Sequence, residues 1–191
     1  MSSSPAAPAI GPDQIRPLRR AEYDQLVELG AFAGERLELL QGALVAMSPR
    51  HAPHAATISR LTKLLVRRLS DRYELRFQLP LAIADDSEPE PDVAIVAAGD
   101  YHRAHPTTAL LVIEVADSSL ARDRRKAALY AAAGIPEYWI VDLAARVVEV
   151  HGAPGSSGYA AQRTAVSGEV LCAIAVPELE LAITELMLPA T

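Results

Sequence analysis

The stretch Leu110-Leu-Val-Ile-Glu-Val-Ala116, followed by Ser119-Leu-Ala-Arg-Asp-Arg-Arg-Lys-Ala-Ala-Leu-Tyr-Ala-Ala-Ala-Gly134 and then by Glu137-Tyr-Trp-Ile-Val-Asp142, decides the fold. Its first part is an aliphatic run that reads as a strand over 107–116, buried on both faces. The second part is helix-like, with Ser118 or Ser119 as cap and Gly134 as stop. The third is a strand that pairs with Arg146-Val-Val-Glu-Val-His151 as a hairpin around Ala144-Ala145. A strand, helix and strand in that order put both strands in one sheet with the helix laid over a face.

Working outward toward the N-terminus, Asp92-Val-Ala-Ile-Val-Ala97 reads as a strand that follows the acidic, proline-rich turn 85–91, and 74–83 reads as another. From about Pro53 to Arg72 the positions Ile58, Leu61, Leu65 and Leu69 share one face of an amphipathic helix, with Arg60, Arg67 and Arg68 on the other. Residues 35–47 read as two strands around a turn at Gln41-Gly42, and 19–30 as a short helix closed by Gly30. Residues 1–17, rich in Pro, Ala and Ser, read as a mobile arm before a single domain over 18–191. Beyond 151 the Gly- and Ser-rich segment 152–158 introduces closing strands and loops. The expected class is α/β (α+β): a mixed β-sheet flanked by helices.

Composition narrows the function. Half of the 191 residues are hydrophobic and 22% are charged, the balance of one globular domain with a sizeable core. The apolar runs fall well short of the ~20 residues that cross a bilayer, and the start has neither a basic n-region nor a continuous apolar h-region, so the expected location is cytoplasmic, off any membrane. A net charge of -6 argues against a protein that coats nucleic acid by bulk electrostatics. The series Arg60, Arg67, Arg68, Arg72 and Arg76 reads as a solvated face or as a track for a phosphate backbone. Cys172 is the only cysteine, which excludes an internal disulfide, and among apolar neighbours it reads as a small buried hydrophobe. Tyr138 and Trp139 read as core or dimer-interface residues. His102 and His105 have i, i+3 spacing but lie in a loop without further ligands, so zinc is not expected there.

Glu114 is the most informative residue, because it sets a carboxylate inside a strand that otherwise looks buried. An unpaired ionised carboxylate in apolar surroundings is costly unless it is paired, protonated or metal-bound. Asp92 raises the same question at the start of its own apolar strand, and a neighbouring register would bring the two acids together. Two convergent carboxylates suit a hard divalent cation such as Mg²⁺; ion pairs with Arg122 or Arg124 are the structural alternative. Lys126 is one of only two lysines among 18 basic residues. It shares a helix face with Arg122 and Tyr130 at i, i+4 spacing, where an ammonium could orient water and stabilise a pentavalent phosphate.

Glu-Pro-Asp92, the strand carrying Glu114, Lys126 with Tyr130, and Gly134-Ile-Pro-Glu-Tyr-Trp-Ile-Val-Asp142 together resemble the Uma-two family of restriction-endonuclease-like proteins, over roughly residues 20–185. That family is placed in the PD-(D/E)XK nuclease-like superfamily. The resemblance implies metal-dependent hydrolysis of DNA phosphodiesters, with Asp92, Glu114 and Lys126 as catalytic residues. Asp92 and Glu114 would hold Mg²⁺ or Mn²⁺, and a homodimer would cut two strands. Glu38, His54 and Tyr130 are the supporting residues. Glu38 either completes the metal site or pairs with an arginine across strands, and His54 either touches substrate or caps its helix. One departure stands out: the superfamily lysine lies two residues after the acid, where this chain has Ala116, and the resemblance implies that Lys126 takes its place from the following helix. A different class of function is a nuclease-fold module that binds nucleic acid or a partner protein without turnover.

Overall fold

The computed structural model describes residues 15–47 and 51–187. The arm expected at 1–17 lies outside the described residues as far as position 14, and so does the Ser48-Pro49 break. In chain order the elements are α1 (Arg20–Glu28), β1 (Leu37–Leu40), β2 (Ala43–Ala46), α2 (Ala52–Arg68), β3 (Tyr73–Arg76), β4 (Val93–Ala97), β5 (Leu111–Ala116), α3 (Leu120–Ala132), β6 (Glu137–Asp142), β7 (Val147–Gly155), β8 (Gly158–Ala165), β9 (Val170–Cys172), β10 (Glu180–Ala182) and α4 (Ile183–Leu186). Six strands form one mixed sheet in the order β3-β4-β5-β6-β7-β8. Only β5 and β6 run parallel, because α3 carries the chain back across the sheet between them.

Every residue of β5 is buried, so strand alternation sorts its side chains between two cores. Leu111, Ile113 and Val115 face Leu61 and Leu65 of α2 together with Leu171, Leu179, Leu181 and Leu186 of the C-terminal layer. Val112 and Ala116 face Ala127, Tyr130 and Ala131 of α3. Glu114 falls in the second set, under α3. The helix stops where the sequence reading places its stop: Gly134 takes φ 71°, and the Ile135 amide donates back to the Tyr130 carbonyl.

The β1–β2 hairpin turns at Gln41 and Gly42, both at positive φ, in a two-residue loop between Leu40 and Ala43. It docks on the 86–88 segment: the Glu88 amide donates to the Leu39 carbonyl at 2.7 Å, and the Gly42 amide to the Asp86 carbonyl at 2.8 Å. A Cβ on residue 42 would meet the Cβ of Pro17 at 2.3 Å, so glycine is required there by space as well as by φ.

Two expectations are revised and a third, left open between two readings, is narrowed. The strand read over 74–83 ends at Arg76, because Gln78 adopts φ 53° and Pro80 has no amide to donate to a ladder. Cys172 is exposed, since the alternation of β9 turns Leu171 into the core and Cys172 outward. Much of the arginine series is engaged within the fold: Arg68 pairs with Glu185, Arg72 with Glu178 and Arg76 with Glu74. Trp139 and Tyr138 are wholly buried core residues. No helix among the described residues is long and apolar enough to cross a membrane.

Candidate active site

The antiparallel register pairs Val93 with Ile113, so the next step along each strand sets Asp92 beside Glu114. Each carboxylate is held by the other's strand. The Asp92 amide donates to Glu114 Oε2 at 3.1 Å, and the Val115 amide donates to Asp92 Oδ2 at 2.9 Å. Asp92 is further gripped by His54 Nε2 at 2.9 Å and by Gln78 Nε2 at 3.0 Å. His54 therefore does not cap α2, whose N-cap is His51; it reaches from the helix's first turn to the acid.

From above the sheet, Lys126 points down from α3 and donates to Glu114 Oε1 at 3.0 Å and to Glu38 Oε2 at 2.8 Å. Tyr130, one turn on, donates to Glu114 Oε1 at 3.3 Å. Glu38 reaches this point because the docked hairpin buries it, and its partner is this lysine rather than an arginine. Arg124 turns away and pairs with Glu149 on the exposed flank of α3. The structure thus brings Asp92, Glu114, Lys126, Glu38, His54 and Tyr130 into one site at the ends of β4 and β5.

The electrostatics follow from burial around an excess of acids. Burial opposes ionisation of Asp92, yet hydrogen bonds from His54, Gln78 and the Val115 amide outweigh it and hold its pKa below the usual carboxylate value. Burial pushes Glu114 up to about 8; Lys126 offsets part of this, while Asp92, Asp123 and Glu38 add to it. Burial also works against the Lys126 ammonium, but Glu114 and Glu38 more than compensate, so its pKa stands above the ordinary lysine value. The lysine keeps its proton. The proton that Glu114 tends to retain is an additional one, the mark of a cluster with more negative charge than its own cations neutralise.

The residues lining the pocket make the imbalance concrete. Six carboxylates, from Glu38, Glu90, Asp92, Glu114, Asp117 and Asp123, face three permanent cations, from Arg36, Arg122 and Lys126. The donor chemistry suits a hard divalent cation, since Asp92 and Glu114 offer carboxylate oxygens in a pocket of net negative charge. Asp92 and Glu114 are the two oxygen donors such an ion would use; no group of three or more His, Cys, Asp or Glu side chains among the described residues is gathered so as to hold a metal ion.

Two site residues are not evident in the sequence. Gln78 sits in what reads as a plain strand, and only its left-handed backbone, which ends β3, aims its amide at Asp92. Asp123 reads as one charge in the polar first turn of α3, but it is buried beneath the helix and accepts from Ser119 Oγ, which leaves the helix without a side-chain cap. The spacing of Asp123 three residues before Lys126 is the signal that would have found it.

The family described as "Uma2: Putative restriction endonuclease" matches residues 20–184. Among solved structures, the chain is similar to a putative nuclease belonging to DUF820 from Anabaena variabilis, with a TM-score of 0.68 and 15% sequence identity, covering 89% of this chain and 97% of that one. No curated protein matches the chain.

Proposed function

The chain belongs to the Uma2 family of putative restriction endonucleases, and from that premise we propose that it is a metal-dependent endonuclease that hydrolyses DNA phosphodiester bonds in the pocket of Asp92, Glu114 and Lys126. The observation that carries the reading is the interlocked pair of carboxylates, held on adjacent strands, with a buried ammonium donating to one of them. Asp92 and Glu114 are the residues that would hold Mg²⁺ or Mn²⁺. The chemistry supplied by such an ion is polarisation of a phosphoryl oxygen and a lowered pKa for water.

The chain's own residues do the rest. His54, Gln78 and the Val115 amide keep Asp92 ionised and fixed in direction. Tyr130 and Lys126 fix Glu114. Since Lys126 remains protonated, it orients the attacking water and stabilises developing charge rather than removing a proton. The water oxygen attacks phosphorus as it gives up a proton to bulk water, the opposite P–O bond breaks, and the leaving oxygen takes up a proton from bulk water. A homodimer, with one such pocket per strand of duplex, accounts for double-strand cleavage and is checked by sedimentation equilibrium.

The test is cleavage of supercoiled plasmid in Mg²⁺ or Mn²⁺. Activity that depends on the ion and is abolished in Asp92→Ala, Glu114→Ala and Lys126→Ala is expected; undiminished cleavage by those variants would overturn the assignment. One observation favours the second reading, a binding module without turnover: Lys126 is closed between two carboxylates. Binding of DNA by a chain that takes up no Mn²⁺ in calorimetric titration would establish that reading instead.

A further inference from the structure

We propose that Arg122 is the residue that grips the phosphate of the substrate, an inference that rests on the hydrolytic reading of the pocket and names how it recognises its ligand. Of the three permanent cations lining the pocket, two are occupied. Lys126 is held between Glu38 and Glu114, and Arg36 lies 3.8 Å from Glu90. Arg122 has no carboxylate within ion-pair distance among the described residues, although it stands in a pocket rich in acids.

Its guanidinium is nonetheless fixed. Nη1 donates to the Ala46 carbonyl at the end of β2 at 3.2 Å, which ties the side chain across from α3 to the hairpin. Nε is buried and has no acceptor, and Nη2 makes no hydrogen bond among the described residues. A buried N–H of a permanent cation without an acceptor is a donor waiting for one. Nη2 is the donor open to a phosphate oxygen, and Nε–H, sealed in this structure, joins it as a second parallel donor once the guanidinium turns to meet the ligand.

Position along the helix supports the same conclusion. Arg122 lies one turn before Lys126 on the same face of α3, and it is half-buried where Lys126 is buried. The acids and Lys126 therefore form the floor, and Arg122 stands nearer the mouth. A phosphodiester has to approach six carboxylates to reach that floor, and the unpaired guanidinium supplies the attraction that the net charge of the pocket does not. Arg122 touches the non-bridging oxygens, while Lys126, held on the floor by Glu38 and Glu114, orients the attacking water.

The experiment uses the full chain with Arg122→Gln and Arg122→Lys. Binding of inorganic phosphate is measured by calorimetry in Mn²⁺, and kcat and KM are measured on a short duplex; the thermal midpoint and Mn²⁺ affinity serve as controls. Arg122→Gln is expected to lose phosphate affinity about tenfold and kcat by roughly 10²-fold, as for removal of one oxyanion donor, with Mn²⁺ affinity unchanged. Arg122→Lys, which keeps a single-point donor, should fall between. Wild-type phosphate affinity in Arg122→Gln overturns the inference. A wild-type chain that binds phosphate through Arg122 but cuts no DNA refutes the hydrolytic reading and leaves the contact standing. Equal cleavage and equal phosphate affinity in wild type and Arg122→Gln does the reverse.

Discussion

Replacing Lys126 by methionine removes one charge from a site where three ionisable side chains are almost sealed: Glu38, Glu114 and Lys126 are 1%, 4% and 5% exposed. Methionine keeps much of the length and packing of the side chain, so the change isolates the ammonium. Both carboxylates then lose the donor that holds them at 2.8 and 3.0 Å. Removing one partner of a buried ion pair costs about 3–5 kcal/mol, because the charges left behind have no compensation. For a chain of this size that corresponds to a fall in thermal midpoint of roughly 6–20 °C. The loss also depends on pH. Without the ammonium, Glu114, already raised by burial, holds a proton in the fold that it releases when unfolded, so stability falls as pH rises; the cost should be small at pH 5 and full at pH 8. Saturating Mn²⁺ should restore more stability to Lys126→Met than to the wild type, and adding Glu38→Gln should recover part of the deficit. The assay is thermal and urea unfolding followed by circular dichroism at the two pH values. A loss below about 1 kcal/mol that is the same at pH 5 and pH 8 would refute the buried pair, since an exposed or unformed contact behaves that way.

Other consequences are equally direct. With Asp92 ionised throughout and Glu114 pushed up to about 8, Mn²⁺ held by the proposed site would compete with a proton on Glu114, so its affinity measured by calorimetry should rise by about tenfold per pH unit from pH 6 to 8 and level off above. Glu88, raised to about 7 mainly by burial, has an oxygen without a hydrogen-bond partner; its folded pKa exceeds its unfolded one, so it costs stability progressively as pH rises from about 4.5 to 7. Glu88→Gln should therefore leave stability at pH 4 nearly unchanged and raise it by about 2–3 kcal/mol at pH 8, and a variant no more stable at pH 8 would contradict this. Gly42→Ala places a Cβ against Pro17 at positive φ and should cost about 1–3 kcal/mol in urea unfolding, loosening the hairpin that carries Glu38.

The parts of this fold that were legible in the sequence are those set by local periodicity. The β5–α3–β6 unit, the Gly134 stop, the Gln41-Gly42 turn and the burial of Glu114 all follow from patterns within about fifteen residues. The convergence of Asp92 with Glu114 needed only the register of neighbouring strands. What was not legible depends on contacts between distant segments. Gln78 reaches Asp92 through an unusual backbone angle that its residue type does not announce. Glu38 faces Lys126 because the hairpin docks on residues 86–88, a contact that no periodicity encodes. Cys172 went outward because a three-residue strand admits either face, and its neighbour Leu171 took the core. The engagement of Arg68 and Arg72 by Glu185 and Glu178 was likewise invisible, as more than a hundred residues separate each pair.

If Asp92 and Glu114 together hold the divalent cation of a nuclease, the ion lies between them. Anomalous scattering from a crystal soaked in Mn²⁺ locates it. A peak between the two carboxylates, lost in Asp92→Asn, is the predicted result; a saturated crystal with Mn²⁺ bound elsewhere, or with none between Asp92 and Glu114, would contradict it.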